Sequence, residues 1–499
     1  MTVSDRTYDI VVIGSGPSGR TLSLRCMRNG FSVALIESEL VGGDCHYWAC
    51  IPSKAMLRPP EALVEARQVD GAKQAATGDM NVESVLTRRD TFVDNWDDSR
   101  LSGILTKSGI HIFKGRGQLI AHKRVTVMPT ATITDSNNNN MPMTLSARHA
   151  VVLCTGSSAV IPNVPGLAEA HPWTSRDATG SKYIPTHLSI MGDGPVACEM
   201  ADAWSALGSR VTILGRHERI LHRYEPFVGK LLEKAFAQRG ITVRNNVNIH
   251  KVQRYGSKGP IKIALDDGSV MDDTDELLVA VGRKPNTKDL GLETVGLKSQ
   301  EWLDVDDTGR VKGVEGGDWL YAIGDINHRA LLTHVGKYQA RACAAAIFER
   351  VNYKSDNSSS NPSIPWSRSA AITDHYAVPQ VIFTDPQIGS VGLTERKAKS
   401  LKEVSTNKNN IHAVDCDTST LDGAKLHSDE YVGHAKVVID EERHVIIGAT
   451  FIGPQVGELL HSATIAIVGE VPLDRLWHAI PSFPTVSEVW INLLENYGF

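Results

Sequence analysis

Two cysteines lie five positions apart in the segment VGGDCHYWACIPSK, directly after a pair of glycines. Thiols this close in the chain can store an electron pair by forming and breaking a disulfide, provided that the two sulfurs can meet. Five residues of regular helix rise about 7.5 Å, which exceeds the Cα separation of roughly 4.4–6.8 Å that a disulfide spans. Cys45 and Cys50 can therefore bridge only if the turn between them is irregular. Gly42 and Gly43 before the pair, and Pro52 after it, supply breaks of that kind.

Two segments share the plan of a buried strand, a glycine turn, a helix and a second strand. The first, YDIVVIGSGPSGRTLSLRCMRNGFSVALIE, begins at Tyr8 and ends at Glu37, and the second, LSIMGDGPVACEMADAWSALGSRVTILGRHE, begins at Leu188. Their first glycines are Gly14 and Gly192. One such glycine pattern is weak evidence, but two, each set between a strand and a helix, form a strong indication. We therefore predict two dinucleotide-binding βαβ units.

The end of the second strand in each unit bears on which nucleotide binds. Glu37 stands where a carboxylate can accept hydrogen bonds from ribose hydroxyls. The corresponding position of the second unit is Gly215, followed by Arg216 and His217, with two more arginines close behind. A carboxylate there would repel a 2′-phosphate, whereas a glycine followed by arginines attracts one, which favours NADPH over NADH. The alternative is that these arginines form only a solvated charge cluster.

Polar low-complexity stretches predict surface loops at SNNNN, Ser136–Asn140, and at SDNSSSNPS, Ser355–Ser363. The second stretch also marks a domain boundary. After it, VPQVIFTDPQIGSVGLTE and HAKVVIDEERHVIIGATFIG alternate apolar runs with turns, which is typical of an antiparallel sheet packed with helices.

The composition is that of an ordinary soluble globular protein of several domains, with 499 residues, 41% hydrophobic and 22% charged. A net charge of -5 offers no basic face for nucleic acid or for a membrane surface. Seven cysteines are too few for a secreted disulfide framework. Cys26, Cys154, Cys198 and Cys343 lie in small or apolar runs and are expected to be buried. The start of the chain leads almost directly into a strand and no run of 18 apolar residues exists, so we expect a cytoplasmic protein without a membrane span.

Motifs along most of the chain resemble those of the FAD-dependent pyridine nucleotide–disulfide oxidoreductases of class I, the family of glutathione reductase and dihydrolipoamide dehydrogenase. GSGPSG with Glu37 is similar to the family's FAD fingerprint, and GGDCHYWACIPSK resembles its redox-disulfide motif. VVLCTGS, VGRKPNTKDLGLETVGL and YAIGDINHRALLTHVG resemble its later FAD and linker motifs, with Asp325 at the carboxylate that approaches the ribityl chain. IFTDPQIGSVGLTE is similar to the opening of its dimerisation domain.

The resemblance implies an α/β fold with two Rossmann-like dinucleotide-binding domains, for FAD and NAD(P), and a C-terminal α+β dimerisation domain. We expect the FAD domain at residues 1–160, the NAD(P) domain at 161–284, a central domain that completes the FAD site at 285–355, and the interface domain at 370–499. The resemblance also implies a homodimer whose active site is shared between subunits.

The resemblance further implies FAD and NAD(P)H as cofactors. The arginines after Gly215 favour NADPH, with NADH as the less favoured donor, and we expect no metal. The residues expected to bind the cofactors are Gly14, Gly16, Pro17, Ser18, Gly19, Glu37, Gly43, Asp44, Lys54, Gly117, Thr155, Gly156, Gly192, Gly194, Ala197, Arg216, His217, Gly282, Arg283, Asp325, Leu332 and Thr333.

In the family, the second cysteine of the motif faces the flavin and the first meets the substrate. Cys50 would then be the charge-transfer sulfur and Cys45 the interchange thiol, so that electrons pass from NADPH to FAD, to the cysteine pair and to an acceptor. Lys54 and Glu199 stand where the family pairs a lysine with a glutamate beside the flavin N5, where a cation stabilises the anionic reduced flavin. Pro195 stands where glutathione reductase-like members carry an aromatic gate over the nicotinamide pocket, so that gate is missing or replaced.

The segment PSFPTVSE departs from the family pattern. In disulfide-reducing members the partner subunit contributes His-Pro-Thr-x-x-Glu, in which the glutamate orients the histidine that protonates the departing thiolate. Here Phe483 stands at the position of the histidine, although Glu488 is kept. A phenyl ring carries no proton, and such general acid–base help is typically worth about 10²–10⁴ in rate. We therefore expect ordinary disulfide turnover to be impaired unless another group substitutes.

Three side chains could take over this proton transfer. His46 and Tyr47 lie between the cysteines, where disulfide-reducing relatives usually carry smaller residues that do not titrate. His46 is adjacent to Cys45 and is the candidate that we retain as catalytic. His478 lies five residues before Phe483, but a histidine in an apolar helix is more often a packing residue.

We therefore expect an FAD-dependent, NADPH-preferring oxidoreductase that passes electrons through Cys45 and Cys50 to a disulfide or another small electrophile, other than glutathione or lipoamide. Two alternatives stay open: an NAD(P)H:quinone-type reductase that uses the flavin directly, and a flavoprotein scaffold or redox sensor that does not turn over. The C-terminal segment NLLENYGF lacks the sulfur residues of mercuric reductases and of the large thioredoxin reductases, which argues against both. We expect no nucleic-acid partner.

Overall fold

The computed structural model describes residues 6–130, 142–352, 366–401 and 410–499, so both predicted polar loops lie outside the described residues. The strands in the described part of the chain are β1 Arg6–Ile13, β2 Val33–Glu37, β3 His111–Lys114, β4 Arg116–Ala121, β5 Arg124–Met128, β6 Met143–Leu153, β7 Ser157–Ala159, β8 His187–Met191, β9 Arg210–Leu214, β10 Thr242–Arg244, β11 Ile249–Arg254, β12 Ile261–Leu265, β13 Val270–Thr274, β14 Glu276–Val279, β15 Arg283–Pro285, β16 Leu320–Ala322, β17 Gln380–Ile382, β18 Ile388–Gly392, β19 Ile411–Asp417, β20 His434–Asp440 and β21 Val445–Ile452.

The α-helices in the same residues are α1 Pro17–Arg28, α2 Gly43–Tyr47, α3 Cys50–Arg67, α4 Val82–Phe92, α5 Ser99–Lys107, α6 Ser175–Gly180, α7 Pro195–Ala206, α8 Pro226–Gln238, α9 Thr333–Asn352, α10 Glu395–Ser400, α11 Asp422–His427, α12 Val456–Val468, α13 Leu473–Leu476 and α14 Val489–Tyr497. Short 3₁₀ turns lie at Asp94–Trp96, Leu292–Val295, Asp325–Asn327, Thr373–His375, Thr418–Thr420 and Val486–Glu488.

The chain divides into two compact units. The first unit contains Met1–Pro52, Asp90–Ala159 and Gly282–His375, and the second contains Ser53–Arg89, Val160–Val281 and Tyr376–Phe499.

The first unit is built on a sheet with the strand order β3-β2-β1-β6-β5-β4, in which β16 also pairs with β6. Strands β1, β2, β3, β6 and β16 are parallel, whereas β4 and β5 continue the sheet as an antiparallel meander. A glycine turn leads from β1 into α1, which begins at Pro17, where the fixed φ of proline suits the first helical position. The βαβ unit predicted to end at Glu37 is confirmed.

Strand β1 is buried on both faces of this sheet. Ile10 and Val12 pack in a cluster with residues of α1 and α9, whereas Val11 and Ile13 pack in a second cluster with residues of β4 and β5. Because successive strand residues point to opposite faces, this continuous apolar run covers both sides of the sheet. The glycine turn at its end is therefore held by two cores.

The second unit contains a parallel sheet with the order β10-β9-β8-β14, and α7 connects β8 to β9. This confirms the second predicted βαβ unit. The three-stranded antiparallel sheet β11-β12-β13 belongs to the same unit.

The C-terminal part of the second unit contains the predicted antiparallel sheet packed with helices. Its sheet has the order β17-β18-β21-β20-β19, with every neighbouring pair antiparallel. Helix α12 packs on β18 and β21, and α14 packs on β19. The predicted fold class, two Rossmann-like units with a C-terminal α+β domain, is confirmed.

Cys26, Cys154, Cys198 and Cys343 are buried, as predicted. Burial raises the pKa of each thiol, that of Cys26 to about 12, so they act as small apolar side chains. Among the described residues, no helix combines the length and the apolar character that crossing a bilayer requires.

Candidate active site

The two cysteines of the motif lie on either side of a break between two helices of the first unit. Cys45 is on α2, which ends at Tyr47, and Cys50 is the first residue of α3. Between them Trp48 leaves the helix with φ -139° and ψ 7°. This is the irregular turn that the spacing requires, and the two free thiols form a hydrogen bond with each other.

The pKa of the Cys45 thiol is raised above its ordinary value. The hydrogen bond with Cys50 is the largest cause and burial is the second. The hydroxyl of Thr333 and the cation of Lys337 act in the opposite direction. The Thr333 Oγ1 also lies 3.3 Å from the Cys50 Sγ, at the first residue of α9. Cys45 is therefore held as the protonated thiol, with one hydroxyl and one cation placed to help its ionisation.

His46, the predicted proton donor, is engaged with a carboxylate. Its Nε2 lies 2.9 Å from Asp94 Oδ2, and its ring meets the Tyr47 ring edge-on at 4.6 Å between centroids. Arg100 donates to both oxygens of Asp94, and this is the largest cause that lowers the pKa of the Asp94 carboxyl. No hydrogen bond joins His46 to Cys45 in the described part of the chain. His46 therefore anchors α2 to Asp94 in this conformation.

The turn that carries Asp94 has an uncommon backbone. Asp94, Asn95 and Trp96 have φ values of 52°, 51° and 57°, so three successive residues other than glycine are left-handed. Each such residue costs roughly 1–2 kcal/mol, and strain of this kind concentrates at functional sites. The indole Nε1 of Trp96 donates to the carbonyl of Tyr47 at 3.2 Å, so this turn holds the end of α2. Asp94 and Asn95 belong to residue types that are enriched in this conformation, whereas Trp96 does not.

Arg20 is a neighbour of the cysteines that sequence reasoning missed. It lies in the first turns of α1, and its Nε is buried without a hydrogen-bond partner among the described residues. Burial, the largest cause, lowers the pKa of Arg20, whereas the charges of ionised Cys45 and Tyr47 raise it. Because this attraction is mutual, Arg20 favours the thiolate form of Cys45.

The head of α1 fits a pyrophosphate. The helix has no side-chain cap, and a Cβ added to Gly16 would meet no atom within 4 Å. A Cβ on Gly14 would lie 2.4 Å from the Cys154 carbonyl oxygen, and one on Gly43 would lie 2.7 Å from the Gly16 Cα. The glycines thus let the chain pack tightly around the turn and leave open space in front of the helix N-terminus, where backbone N–H groups attract an anion.

The predicted ribose ligand Glu37 lies at the end of β2. Its Oε2 accepts hydrogen bonds from the backbone nitrogen of Ser15 at 3.0 Å and from the Ser15 hydroxyl at 2.6 Å. Ser15, which was not singled out from the sequence, therefore fixes the direction of this carboxylate.

Three predicted cofactor residues, far apart in the sequence, form one polar group in the first unit. The Arg283 Nη2 lies 3.3 Å from Asp44 Oδ2, and its Nε lies 3.8 Å from Asp325 Oδ2. Ser157 links the group, since Arg283 donates to its carbonyl and its hydroxyl donates to Asp325. Burial raises the pKa of Asp325. The donor set fits a polyol chain with hydroxyl groups.

The other predicted residues of this unit lie around the same strand ends. Thr155 and Gly156 follow β6, and the Thr155 hydroxyl donates to the Asn286 carbonyl at 2.8 Å. Gly117 lies within β4, where an added Cβ would meet Ile13 at 2.9 Å. Pro17, Ser18 and Gly19 lie in the first turn of α1, Leu332 precedes α9, and Gly282 faces open space before β15.

In the second unit, the predicted pair of Lys54 and Glu199 is in contact. The Lys54 Nζ lies 2.7 Å from Glu199 Oε2 and 4.7 Å from the centroid of the Phe383 ring. The backbone nitrogen of Phe383 donates to Glu199 Oε1 at 3.0 Å. Both oxygens of this nearly buried carboxylate are therefore satisfied, and the ammonium group is held in one place.

The second glycine turn repeats the features of the first. Helix α7 begins at Pro195 without a side-chain cap, and a Cβ added to Gly194 would meet no atom within 4 Å. A Cβ on Gly192 would lie 2.4 Å from the Ala280 carbonyl oxygen. Ala197 is buried in the helix. This turn also fits a dinucleotide.

A carboxylate lies beside Gly215, although the residue that follows β9 is a glycine. A Cβ added to Gly215 would lie 3.0 Å from the Asp193 Cβ and 3.2 Å from its Oδ2. The same oxygen lies 2.7 Å from the His217 Nδ1, while Arg216 is exposed. Sequence reasoning missed this carboxylate because Asp193 lies in the turn between β8 and α7, whereas Gly215 follows β9.

Phe483 and Glu488 lie near the end of the second unit. The Phe483 side chain is 71% exposed. The Oε2 of Glu488 is buried without a hydrogen-bond partner among the described residues. His478 is exposed rather than packed in an apolar helix, and α13 ends before it. The glutamate that orients a proton donor in the resembling family is thus present, and its partner is absent.

Comparison with protein families gives matches over most of the chain. The family model described as pyridine nucleotide-disulphide oxidoreductase matches residues 8–341. The model for the dimerisation domain of the same family matches residues 378–493.

Among curated proteins, the chain is 29% identical to dihydrolipoyl dehydrogenase of Chlamydia trachomatis serovar D, over 97% of this chain and 96% of that protein. It is 26% identical to mercuric reductase of Staphylococcus aureus, over 97% of this chain and 81% of that protein. Among solved structures, the Cu(II) complex of the HOCl-induced flavoprotein disulfide reductase RclA from Escherichia coli matches with a TM-score of 0.79 at 20% identity, over 98% of this chain and 99% of that one. LpdA from Mycobacterium tuberculosis matches with a TM-score of 0.79 at 22% identity, over 99% of this chain and 100% of that one.

Proposed function

Because the chain belongs to the pyridine nucleotide-disulphide oxidoreductase family, we propose that it transfers electrons from NADPH through FAD to Cys45 and Cys50, and from there to a small electrophile. The family's members are FAD-dependent enzymes, and the matched dimerisation domain indicates a homodimer. The finer proposal rests on one observation: two thiols in mutual contact across a helix break, with Thr333 at hydrogen-bonding distance from the second.

When bound, FAD supplies the two-electron step between the nicotinamide and the disulfide. Gly16 would hold its pyrophosphate, Glu37 its ribose, and the group of Asp44, Arg283 and Asp325 its ribityl chain. Lys54, fixed by Glu199, would place a cation beside the flavin ring. Gly192, Gly194 and Ala197 would hold the nicotinamide dinucleotide.

The thiol pair would complete the reaction by disulfide exchange. The Cys45 thiolate attacks one sulfur of an acceptor disulfide, the acceptor S–S bond breaks, and the leaving thiolate departs. Cys50 then loses its proton and attacks Cys45, which restores the Cys45–Cys50 disulfide and releases the second thiol. Arg20, Thr333 and Lys337 each favour the ionised form of Cys45 that begins this sequence.

The acceptor would be one whose leaving group needs no protonation. Phe483 cannot supply a proton, and the Glu488 oxygen that would orient a donor has no partner within the described part of the chain. A thiol of low pKa leaves as the thiolate without help, whereas an alkyl thiolate benefits from a proton. We therefore favour activated disulfides and similar electrophiles over glutathione disulfide or lipoamide.

The preference for NADPH rests on Arg216, which is exposed next to Gly215 and free to approach a 2′-phosphate. The Asp193 carboxylate opposes this preference, and its contact with His217 partly offsets its charge. We also propose the FAD, NAD(P), central and interface domains at 1–160, 161–284, 285–355 and 370–499, and a cytoplasmic location.

The decisive experiment compares Cys45→Ser with the wild-type enzyme on two acceptors. An aromatic disulfide with an acidic thiol, 5,5′-dithiobis(2-nitrobenzoate), should be reduced by the wild type and not by the variant, whereas NADPH should still bleach the flavin of both. A variant that reduces the disulfide at the wild-type rate would contradict the proposal.

A quinone acceptor tests the second candidate, direct reduction by the flavin, which the exposed apolar ring of Phe483 favours. Quinone turnover that survives in Cys45→Ser, without any disulfide turnover in the wild type, would establish this candidate. A wild-type enzyme whose flavin does not bleach with NADPH would instead indicate a scaffold or sensor.

A further inference from the structure

Three side chains that could ligate a metal converge at the second glycine turn. They are Asp193, in the turn after β8, and His217 and His222, in the segment after β9. Their ligand atoms all lie within 4.8 Å of one another. In the part of the chain that the structure describes, this is the one group of three or more histidine, cysteine or carboxylate side chains that meets this condition.

Both imidazole rings direct the same nitrogen at the same carboxylate. The His217 Nδ1 lies 2.7 Å from Asp193 Oδ2, and the His222 Nδ1 lies 3.8 Å from Asp193 Oδ1. The two rings are stacked, with 3.4 Å between centroids and 21° between planes. The contact of His222 is too long for a hydrogen bond, and no hydrogen bond to its ring is found among the described residues. The His222 ring therefore has a nitrogen that its protein neighbours leave unused.

The charge balance of this cluster favours a cation over an anion. Asp193 is 7% exposed and lies beside the stacked pair of histidines, so its charge is poorly screened. A divalent ion bound to both imidazoles would lie against this carboxylate and offset its charge. A phosphate group would instead have to approach the Asp193 carboxylate.

The spacing of the three groups also suits a small transition metal. With metal–ligand bonds of 2.0–2.1 Å in a tetrahedral site, neighbouring ligand atoms lie about 3.3 Å apart. The two observed contacts, 2.7 Å and 3.8 Å, bracket that value, and binding would require the stacked rings to tilt apart so that both lone pairs point at one ion. Two imidazoles and a carboxylate suit Zn²⁺, Cu²⁺ or Ni²⁺ and not Mg²⁺ or Ca²⁺, which prefer all-oxygen sites.

We propose that Asp193, His217 and His222 form a binding site for a divalent transition metal, with the fourth position open to solvent or to a ligand. The site lies at the carboxyl ends of β8 and β9, where a dinucleotide binds in this fold. A bound ion would replace the negative charge of Asp193 by a positive one beside Gly215. On the premise of the proposed NADPH site, metal binding would then favour a 2′-phosphate.

Calorimetric titration of the metal-free, oxidised, FAD-loaded enzyme with Zn²⁺ tests the site directly. Oxidised enzyme is used because the Cys45–Cys50 disulfide does not compete for the ion. We expect one site per chain, weakened tenfold or more in His222→Gln and in Asp193→Asn, and no binding of Mg²⁺. The His222 variant is informative about the metal because that ring makes no hydrogen bond with the described residues whose loss could affect folding.

The matched control is His250→Gln, which changes an exposed histidine on β11 of the same unit. It should bind Zn²⁺ like the wild type. Wild-type enzyme that fails to bind Zn²⁺, or binding that His222→Gln and Asp193→Asn leave unchanged, would overturn the proposed site.

The effect on the nucleotide is measured with the same oxidised enzyme, so that no turnover intervenes. Saturating Zn²⁺ should tighten the binding of NADP⁺ by about threefold or more relative to NAD⁺, and His222→Gln should abolish this difference. Unchanged or reversed selectivity would refute the link to the 2′-phosphate. Reduction of the aromatic disulfide by NADPH in the presence of a chelator tests the proposed function separately, since it needs no metal.

Discussion

Two glutamates of the second unit, Glu199 and Glu488, differ in whether their carboxylate oxygens have hydrogen-bond partners. Glu199 has a partner for each oxygen, since Lys54 and the backbone of Phe383 both donate to it. Glu488 has one buried oxygen with no partner among the described residues. A buried polar atom left unpaired costs about 1–3 kcal/mol. One carboxylate therefore contributes to stability, whereas the other is held at a cost.

This difference separates two parts of the proposed reaction, the reduction of the flavin and the reduction of the acceptor. In the proposed function Glu199 fixes the cation beside the flavin, and every acceptor depends on reduction of the flavin. In the same proposal Glu488 belongs to the acceptor side, where Phe483 stands in place of the proton donor that this carboxylate would orient. The electron input would thus be retained while the output is changed.

The largest expected effect is a gain of activity in Phe483→His. A histidine there would find a ready acceptor in the unpaired oxygen of Glu488 and could protonate a departing thiolate. We expect the rate of glutathione disulfide reduction to rise by about 10²–10⁴, and that of the aromatic disulfide to change little, because its thiolate leaves without a proton. Steady-state kinetics with both acceptors measures the contrast.

Two further variants separate proton transfer from a change of shape. Phe483→Leu opens the same space without a titrating group and should give no gain. Adding Glu488→Gln to Phe483→His should remove part of the gain, as expected for side chains that act together. Equal gains in Phe483→Leu and Phe483→His would contradict the role given to the phenyl ring.

Lys54→Met tests the reduction of the flavin, the step in which Glu199 is proposed to hold the cation. Removing the cation held by Glu199 should slow reduction of the flavin by NADPH about tenfold to a hundredfold, because the negative charge that develops on the reduced ring loses its counter-charge. Stopped-flow absorbance of the flavin measures this step directly. Lys230→Met, on the exposed face of α8, is the control. An unchanged rate in Lys54→Met would remove this lysine from the electron input.

Replacing each of the two glutamates by glutamine should change the free energy of unfolding in opposite directions. Glu199→Gln breaks a partly buried ion pair and should destabilise the protein by about 1–3 kcal/mol. Glu488→Gln removes a charge from an oxygen that has no donor in the described residues, and should stabilise the protein by up to about 1 kcal/mol. Denaturant unfolding of the FAD-loaded dimer measures both. A loss of stability at Glu488 similar to that at Glu199 would mean that Glu488 has a partner in the dimer.

The sequence predicted the parts of this arrangement that depend on local pattern. The two βαβ units were predictable because strand, glycine turn and helix follow one another within about 30 residues, and Glu37 follows from its place in that pattern. The irregular turn between Cys45 and Cys50 followed from helix geometry alone. The pairing of Lys54 with Glu199 came from the family resemblance.

The missed residues act through contacts between distant segments. Asp193 reaches Gly215 from another loop, and Arg20 approaches Cys45 from α1, so neither contact has a signal in its own segment. The left-handed turn at Asp94 holds the end of α2 through Trp96, and the positive φ of Trp96 has no signal in the sequence. In the sequence, His217 and His222 belong to a basic segment, and only the structure shows that both rings contact the Asp193 carboxylate.

The smallest expected effect concerns the pH dependence of the acceptor side. The pKa of Cys45 lies above its ordinary value, so the reactive thiolate forms only at alkaline pH, and aromatic disulfide reduction should rise with pH across the alkaline range. Lys337 lowers this pKa. Lys337→Met should therefore raise it and move the rate profile to higher pH, by about one unit or less. Because the thiolate fraction falls at any fixed pH below the new pKa, the variant should be slower than the wild type at pH 7 and should approach its rate at high pH.

Flavin reduction by NADPH should stay unchanged in Lys337→Met, since it precedes the exchange step. A rate profile that moves to lower pH would contradict the role given to Lys337. If flavin reduction slowed as much as disulfide reduction, Lys337 would act on electron transfer into the flavin, and the separation between flavin reduction and acceptor reduction would fail.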